Sequence, residues 1–257
     1  MKPNYFVLSS ILIITALIII VVSLSWSLGK THRENRALRL GSGISPGSMR
    51  SISQKPWIAE LPSFLTPEEC AHLIRLGEQM GMKQSKVGAS TKDSYVDSKS
   101  RTSTTSFLRK GHDDIVKRIE SKCSLVSCHP ATHMEPLQIV KYSPGQFFRE
   151  HHDYFKENEL KDKNGKRKGP KYQRTITIFI YLNDLKDDEK GGSTSFPKAH
   201  PPIKIKPEMG KAVMFRNVSP ANEIDELALH SGESVNFSTK YGCNVWMTSH
   251  PYSTHKE

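Results

Sequence analysis

Tyr142-Ser-Pro-Gly-Gln-Phe-Phe-Arg-Glu-His-His-Asp-Tyr-Phe155 holds the chemistry around which this chain is read. His151 and Asp153 lie two residues apart, and in an extended segment alternation puts both side chains on one face. An imidazole and a carboxylate then converge on one point. The same spacing also fits a solvated pair on a loop, so a third, distant ligand has to choose between the two readings. Two His and one carboxylate on one face, with the other positions open, form the donor set that suits a non-haem Fe(II) centre. His152, between the two, points to the opposite face and is expected to be structural.

Around this stretch the apolar residues fall into short runs of period two. Leu137 to Tyr142, Thr175 to Leu182, Ile203 to Ile205, Lys211 to Phe215 and Val245 to Thr248 read as strands. Turn residues such as Leu182-Asn183-Asp184 and Gly191-Gly192 separate them, which predicts a sandwich or jelly roll. Two helices are expected upstream. Thr66-Pro67-Glu68-Glu69 supplies a cap, a proline at the first helical position and a Glu three on from the cap, with Cys70, Leu73, Ile74 and Gly77 on one face. A second helix starts from Asp113, buries Ile115, Val116 and Ile119, and ends around Cys123. Lys83 to Ser106, rich in Ser, Thr and Lys with few apolar residues, reads as a long loop or irregular strands near the surface. The class is α+β, mainly β, with supporting N-terminal helices.

Before the folded part, no charge occurs from Phe6 to Leu28, and at about 1.5 Å per residue this run can cross a bilayer. Residues 1–28 are therefore expected to be one transmembrane anchor. A cleaved signal peptide is the rival, but its apolar region is shorter, at about 7–15 residues. Residues 29–55, rich in Ser, Gly and Arg, read as a juxtamembrane stem, and 56–257 as the catalytic domain. Lys30, Arg33, Arg36 and Arg39 after the span favour a cytosolic domain, whereas the Asn-x-Ser triplets at Asn217 and Asn236 favour the lumen. Cys70, Cys123, Cys128 and Cys243 allow three pairings, with Cys123 and Cys128 able to close a small loop, or remain free thiols. The net charge of +11 is partly local: Lys156 to Arg174 carries eight basic residues against three acidic ones, a stretch that fits a solvated basic loop or a patch for acidic partners. No aromatic residues interleave with those charges as in a nucleic-acid reader, so nucleic acid is not an expected partner.

His230, in Leu229-His230-Ser231-Gly232, is the best candidate for the missing ligand, and Lys240 follows ten residues on. A buried lysine near an Fe(II) site can pair with the far carboxylate of a dicarboxylate cosubstrate. Taken with Thr66 to Cys70, Ser100-Arg101-Thr102-Ser103, Arg174 to Asn183, Gly191 to Pro197 and Lys240-Tyr241, these pieces carry a resemblance. From Pro56 to Tyr252 the chain resembles the catalytic domain of a prolyl 4-hydroxylase of the short plant and algal type, in the Fe(II)/2-oxoglutarate dioxygenase superfamily.

The resemblance implies a double-stranded β-helix in which His151, Asp153 and His230 match the Fe(II) ligands and Lys240 the cosubstrate lysine. It implies that Tyr142 and Thr177 line the cosubstrate pocket, that Arg174, Trp246 and Phe148 lie near the peptide, and that Lys83 to Ser106 falls where the family keeps a mobile loop. Two positions depart from the pattern: Phe148 stands where the family usually has a Tyr, and Thr248 where it usually has a basic residue. The implied activity is hydroxylation of peptidyl proline by the procollagen-proline 4-dioxygenase reaction. It consumes dioxygen and 2-oxoglutarate, releases succinate and carbon dioxide, and uses ascorbate as reductant. An oxygenase of the same fold acting on another residue or protein class, and an inactive binding protein of this fold, are the alternatives. The family favours a single-pass type II protein of the endoplasmic reticulum or Golgi membrane with a luminal catalytic domain, hence a glycoprotein.

Overall fold

The computed structural model describes residues 49–88, 94–162, 164–167, 169–186, 189–219, 221 and 223–252. The anchor expected at 1–28 and most of the stem lie outside them. Among the described residues no helix is long and apolar enough to cross a membrane.

The short runs form strands in chain order: β1 Arg50–Gln54, β2 Trp57–Leu61, β3 Lys83–Gln84, β4 Thr104–Leu108, β5 Leu137–Tyr142, β6 Phe148–His151, β7 Arg174–Tyr181, β8 Thr194–Phe196, β9 Ile203–Ile205, β10 Ala212–Arg216, β11 His230–Gly232 and β12 Lys240–Thr248. Eight of them make one sheet in the order β1-β2-β10-β7-β12-β5-β4-β3, and four make a second in the order β6-β11-β8-β9. Every pairing is antiparallel. The protein is thus mainly β with few helices, as a jelly roll requires.

Strand β7 shows why the layers form. Alternation sends Thr177, Phe179 and Tyr181 to one face and Ile176, Ile178 and Ile180 to the other, and all six are buried. The first face meets the small sheet, since Tyr142, Phe179, Tyr181, Val213 and Phe215 share a core with Phe196 and Ile205. The second is covered by helices α1 (Pro67–Gln79) and α2 (Asp114–Ser127). Helix α1 buries Cys70, Leu73 and Gly77, and approaches β5 so closely that a Cβ on Gly77 would stand 2.7 Å from Ile139 Cγ2. Its start is the capping box read from the sequence, with Thr66 and Glu69 reciprocally bonded. Such a cap stabilises by about 1 kcal/mol.

Several boundaries move. Arg50–Gln54, assigned to the stem, pairs with β2 as an edge strand, so the domain begins before Pro56. It is a short polar segment whose partner is visible only in the fold. Helix α2 runs past Cys123 to Ser127 and stops where Cys128 turns left-handed at φ 56°. The end of the Lys83 to Ser106 segment is not surface loop: β4 sits between β5 and β3, with Ser103, Thr105 and Ser106 buried. Its polar composition misleads because Ser103 is satisfied by Ser85, hydroxyl to hydroxyl, at 2.9 Å. All four cysteines are free thiols, and three are buried, so no pairing read from their number is realised.

Gly242, on β12, faces the same core. A Cβ there would stand 2.3 Å from Phe179 Cζ, so the ring of Phe179 occupies the space that any other residue needs. Gly242→Ala should cost about 1–3 kcal/mol of stability through overpacking. A denaturant midpoint equal to wild type would show that Phe179 moves freely.

Candidate metal centre

Antiparallel register brings the two histidines together. His151 ends β6 and His230 begins β11, and they are direct partners across that pair. Asp153 follows two residues beyond His151, on its side of the chain. The Nε2 atoms of His151 and His230 each lie 3.7 Å from an Asp153 oxygen, Oδ1 and Oδ2 respectively. One ligand atom from each of the three residues falls within 4.8 Å of the others.

The remaining nitrogens fix the tautomers. His151 Nδ1 is 2.7 Å from the Arg149 carbonyl, and His230 Nδ1 is 2.9 Å from that of Ala228. A carbonyl only accepts, so each Nδ1 carries the proton and each Nε2 turns a lone pair to the shared point. Burial, then the nearby His230, holds His151 well below the ordinary imidazole range, the neutral form a metal binds. Burial alone would raise Asp153, but His230, His151 and Arg174 outweigh it and keep the carboxyl ionised. Phe148 stacks on His151 at 3.5 Å between centroids, and Phe215 closes on His230 at 4.6 Å. Two imidazoles aimed through Nε2 and one carboxylate, facing a common cavity, fit Fe(II).

Lys240 fits the second half of the expectation. It is 1% exposed, lies opposite Tyr142 across β5 and β12, and donates from Nζ to the Gly192 carbonyl at 2.6 Å. Rings of Phe179, Tyr142 and Tyr181 surround it at 5.3–5.5 Å. Among the described residues no carboxylate forms an ion pair with it, and burial pushes its pKa down to about 7. A buried cation without a counterion suits a carboxylate-bearing ligand. Next to the Gly192 carbonyl in the chain, Gly191 is tied by Glu189 to the loop at 236–238. That carboxylate accepts the backbone N–H groups of Gly191, Asn236, Phe237 and Ser238 at 3.0–3.1 Å. Burial pushes Glu189 up, but these bonds bring it down to about 2.

The other expected residues divide. Thr177 lines the cavity in front of the metal point, and its hydroxyl is committed to Asp153 Oδ2 at 2.7 Å. Phe148 and Trp246 line the same cavity, whereas Tyr142 and Lys240 lie deeper in the core. Arg174 packs its guanidinium 3.6 Å from the Trp246 ring and pairs with both oxygens of Glu135, at 2.7 and 2.9 Å. Its charge is therefore matched within the protein. Trp246 Nε1 is buried with no hydrogen-bond partner among the described residues. Thr248 is fully buried, its hydroxyl within 2.8 Å of the carbonyls of His133 and His250, so that position serves the fold. His152 turns away from the centre toward the Glu226 carbonyl, at 3.1 Å.

Phe179, Thr194, Asn244, Glu135 and Glu189 escaped the sequence reading. Parity could have found two of them, since Phe179 shares a face with Thr177, and Asn244 with Trp246. Asn217 was read as a glycan acceptor, but it is completely buried and its amide points into the protein, so this triplet offers no acceptor. Asn236 is exposed.

Residues 137–248 match the model of the 2OG-Fe(II) oxygenase superfamily. The chain is 34% identical over 213 residues to "Probable prolyl 4-hydroxylase 3" of Arabidopsis thaliana, an alignment covering 76% of this chain and 70% of that protein. It belongs to the prolyl 4-hydroxylase family. A second member, Prolyl 4-hydroxylase 5 of the same plant, is 35% identical over 218 residues, covering 78% of this chain and 71% of its own length. The viral collagen prolyl hydroxylase of Paramecium bursaria Chlorella virus-1, solved as its 2OG complex, shares the fold at TM-score 0.60 and 23% identity. That match covers 77% of this chain and 99% of the viral one. As a prolyl 4-hydroxylase family member the protein is an Fe(II)- and 2-oxoglutarate-dependent dioxygenase, of a family in which ascorbate is the typical reductant.

Proposed function

We propose that the protein hydroxylates peptidyl proline at carbon 4, with His151, Asp153 and His230 holding Fe(II) and Lys240 holding the distal carboxylate of 2-oxoglutarate. The observation that supports this most is the meeting of three donor atoms with two carbonyl-fixed tautomers, in a fold that also buries a lysine with no ion-pair partner among the described residues. When bound, the metal and cosubstrate supply an oxidant from dioxygen, with 2-oxoglutarate leaving as succinate and carbon dioxide.

The protein's part is to bind and orient. The Arg149 and Ala228 carbonyls accept the Nδ1 protons and so aim both Nε2 atoms, while Thr177 fixes one oxygen of Asp153 and leaves the other to turn toward the metal. Tyr142 and Thr177 bound the cosubstrate pocket, and the aromatic packing around Lys240 excludes water from it. Arg174 and Trp246 form a rigid wall for the peptide, since the guanidinium is clamped by Glu135 and stacked on the indole. Trp246 lines the cavity in front of the metal point, where its ring can contact the bound peptide. Phe148, flat on His151, lies beside the same opening. The domain is a double-stranded β-helix held by the N-terminal anchor in the lumen of the endoplasmic reticulum or Golgi.

Incubation of a panel of proline-rich peptides with the protein, iron, 2-oxoglutarate and ascorbate, followed by mass spectrometry, tests the assignment. One added oxygen on proline, with stoichiometric succinate, is expected. Oxygen added to another residue would move the protein to a different substrate class of the same fold. Succinate production without any peptide product under all conditions would reject proline hydroxylation.

A further inference from the structure

We infer that Asn217 is a positioning residue for the metal-binding carboxylate, acting through the hydroxyl of Thr177. The inference rests on the reading of Asp153 as a ligand. Asn217 Nδ2 donates to Thr177 Oγ1 at 2.9 Å, and Thr177 Oγ1 donates to Asp153 Oδ2 at 2.7 Å. The direction of this chain is set from its end. An ionised carboxylate only accepts, so the single proton of Thr177 is committed to Asp153, and the hydroxyl can then only accept from Asn217. The amide must therefore present its NH2 group and turn its oxygen away.

Among the described residues that oxygen has no hydrogen-bond partner, although Asn217 is 0% exposed. A residue kept for packing alone gains nothing from a bare buried acceptor, and an apolar side chain of the same shape would avoid it. Orienting the donor toward Thr177 does explain it. The backbone holds the side chain in place, for Asn217 N–H donates to the Thr175 carbonyl at 2.9 Å and its own carbonyl accepts from Asp225 at 3.1 Å. Register agrees: Phe215 is the direct partner of Thr177, and Asn217 follows two residues on, on the same face. The relay thus links β10 to the ligand beyond β6 through β7. Its effect is to pin one carboxylate oxygen and leave Oδ1 to turn toward the metal.

The test titrates Mn(II) alone into the metal-free full-length protein and follows the melting temperature in parallel. Removing a partner in the outer shell of a metal site typically costs about 10–100-fold in affinity. Thr177→Val should weaken Mn(II) binding by about tenfold, and Thr177→Ser, which keeps the hydroxyl, should restore it. Asn217→Leu should weaken Mn(II) binding several-fold while leaving the metal-free melting temperature equal or higher, because the bare oxygen is gone. In the Thr177→Val background, Asn217→Leu should have no further effect on Mn(II). Unchanged Mn(II) affinity in a folded Asn217→Leu, or losses that add independently in the double variant, would overturn the inference. His151→Ala serves as the control: if it too binds Mn(II) normally, the ligand assignment fails rather than the relay. Should Asn217→Leu not fold, its packing role dominates and the inference is likewise overturned.

Discussion

His151→Ala, Asp153→Ala and His230→Ala should each abolish turnover and bring bound iron below detection after desalting, while the domain stays folded. Partners one shell out from a metal typically contribute about 10–100-fold to affinity, so a direct ligand in a three-ligand site must contribute more. Nor can the site recruit a substitute. Among the described residues, these three form the group whose donor atoms meet, and His152 faces the Glu226 carbonyl instead. The fold should survive because the buried core cluster is built from β2, β5, β7, β8, β9 and β10, and includes neither β6 nor β11, the strands that carry the histidines. Asp153→Ala leaves the Thr177 hydroxyl without its acceptor, a cost of about 1–3 kcal/mol. It should therefore melt lowest of the three. Asp153→Glu should also be inactive, because the longer arm carries the carboxylate past the shared point. Iron content and hydroxylation would be measured on the same preparation. Wild-type turnover in any one variant would show that the metal is held elsewhere.

Lys240→Ala should raise the 2-oxoglutarate requirement by more than tenfold and leave iron binding nearly unchanged. Leaving a buried carboxylate unpaired costs about 2–5 kcal/mol, and about 1.4 kcal/mol is a factor of ten. The pKa near 7 adds a second signature. Burial lowers it in the free enzyme, and a bound carboxylate must raise it again, so above about pH 7 binding requires proton uptake. Wild-type affinity for 2-oxoglutarate should then fall on the order of tenfold between about pH 6.5 and about pH 8.5. Lys240→Ala should lose that dependence. Lys240→Arg should recover part of the affinity with a flat profile, since a guanidinium does not titrate in this range. An unchanged requirement in Lys240→Ala would exclude this lysine. Arg101 would be the next group to test, being buried and, among the described residues, without a carboxylate partner, whereas Arg174 is already matched by Glu135.

The sequence made legible those parts that depend on local spacing. His151 and Asp153 were found by alternation, the capping box of α1 by its four residues, and β5, β7 and β12 by apolar period two. The role of His230 came from chain order and resemblance. Its opposition to His151 is a matter of register between segments far apart, which spacing does not encode. Thr104–Leu108 was missed as a buried strand because its composition is polar, and the strands that pair with it on both sides, β5 and β3, are distant in sequence. Glu189 and Asn217 were missed for the same reason. One looks like a surface acid and the other like a glycan acceptor until the loops and strands that meet them are in place. Thr248, marked as a departure, is explained by the carbonyls of His133 and His250 that it serves.

The small sheet is assembled from strands of only three or four residues. Segments so short persist only when something ties them together. With one histidine on each of the paired strands β6 and β11, a bound ion acts as a rivet between them. Metal affinity and the cohesion of this sheet are then a single thermodynamic quantity viewed from two sides. Chelation should therefore accelerate amide exchange in β6 and β11 well before it is felt in the large sheet. Limiting iron would empty the active site and at the same time expose those strands to proteolysis.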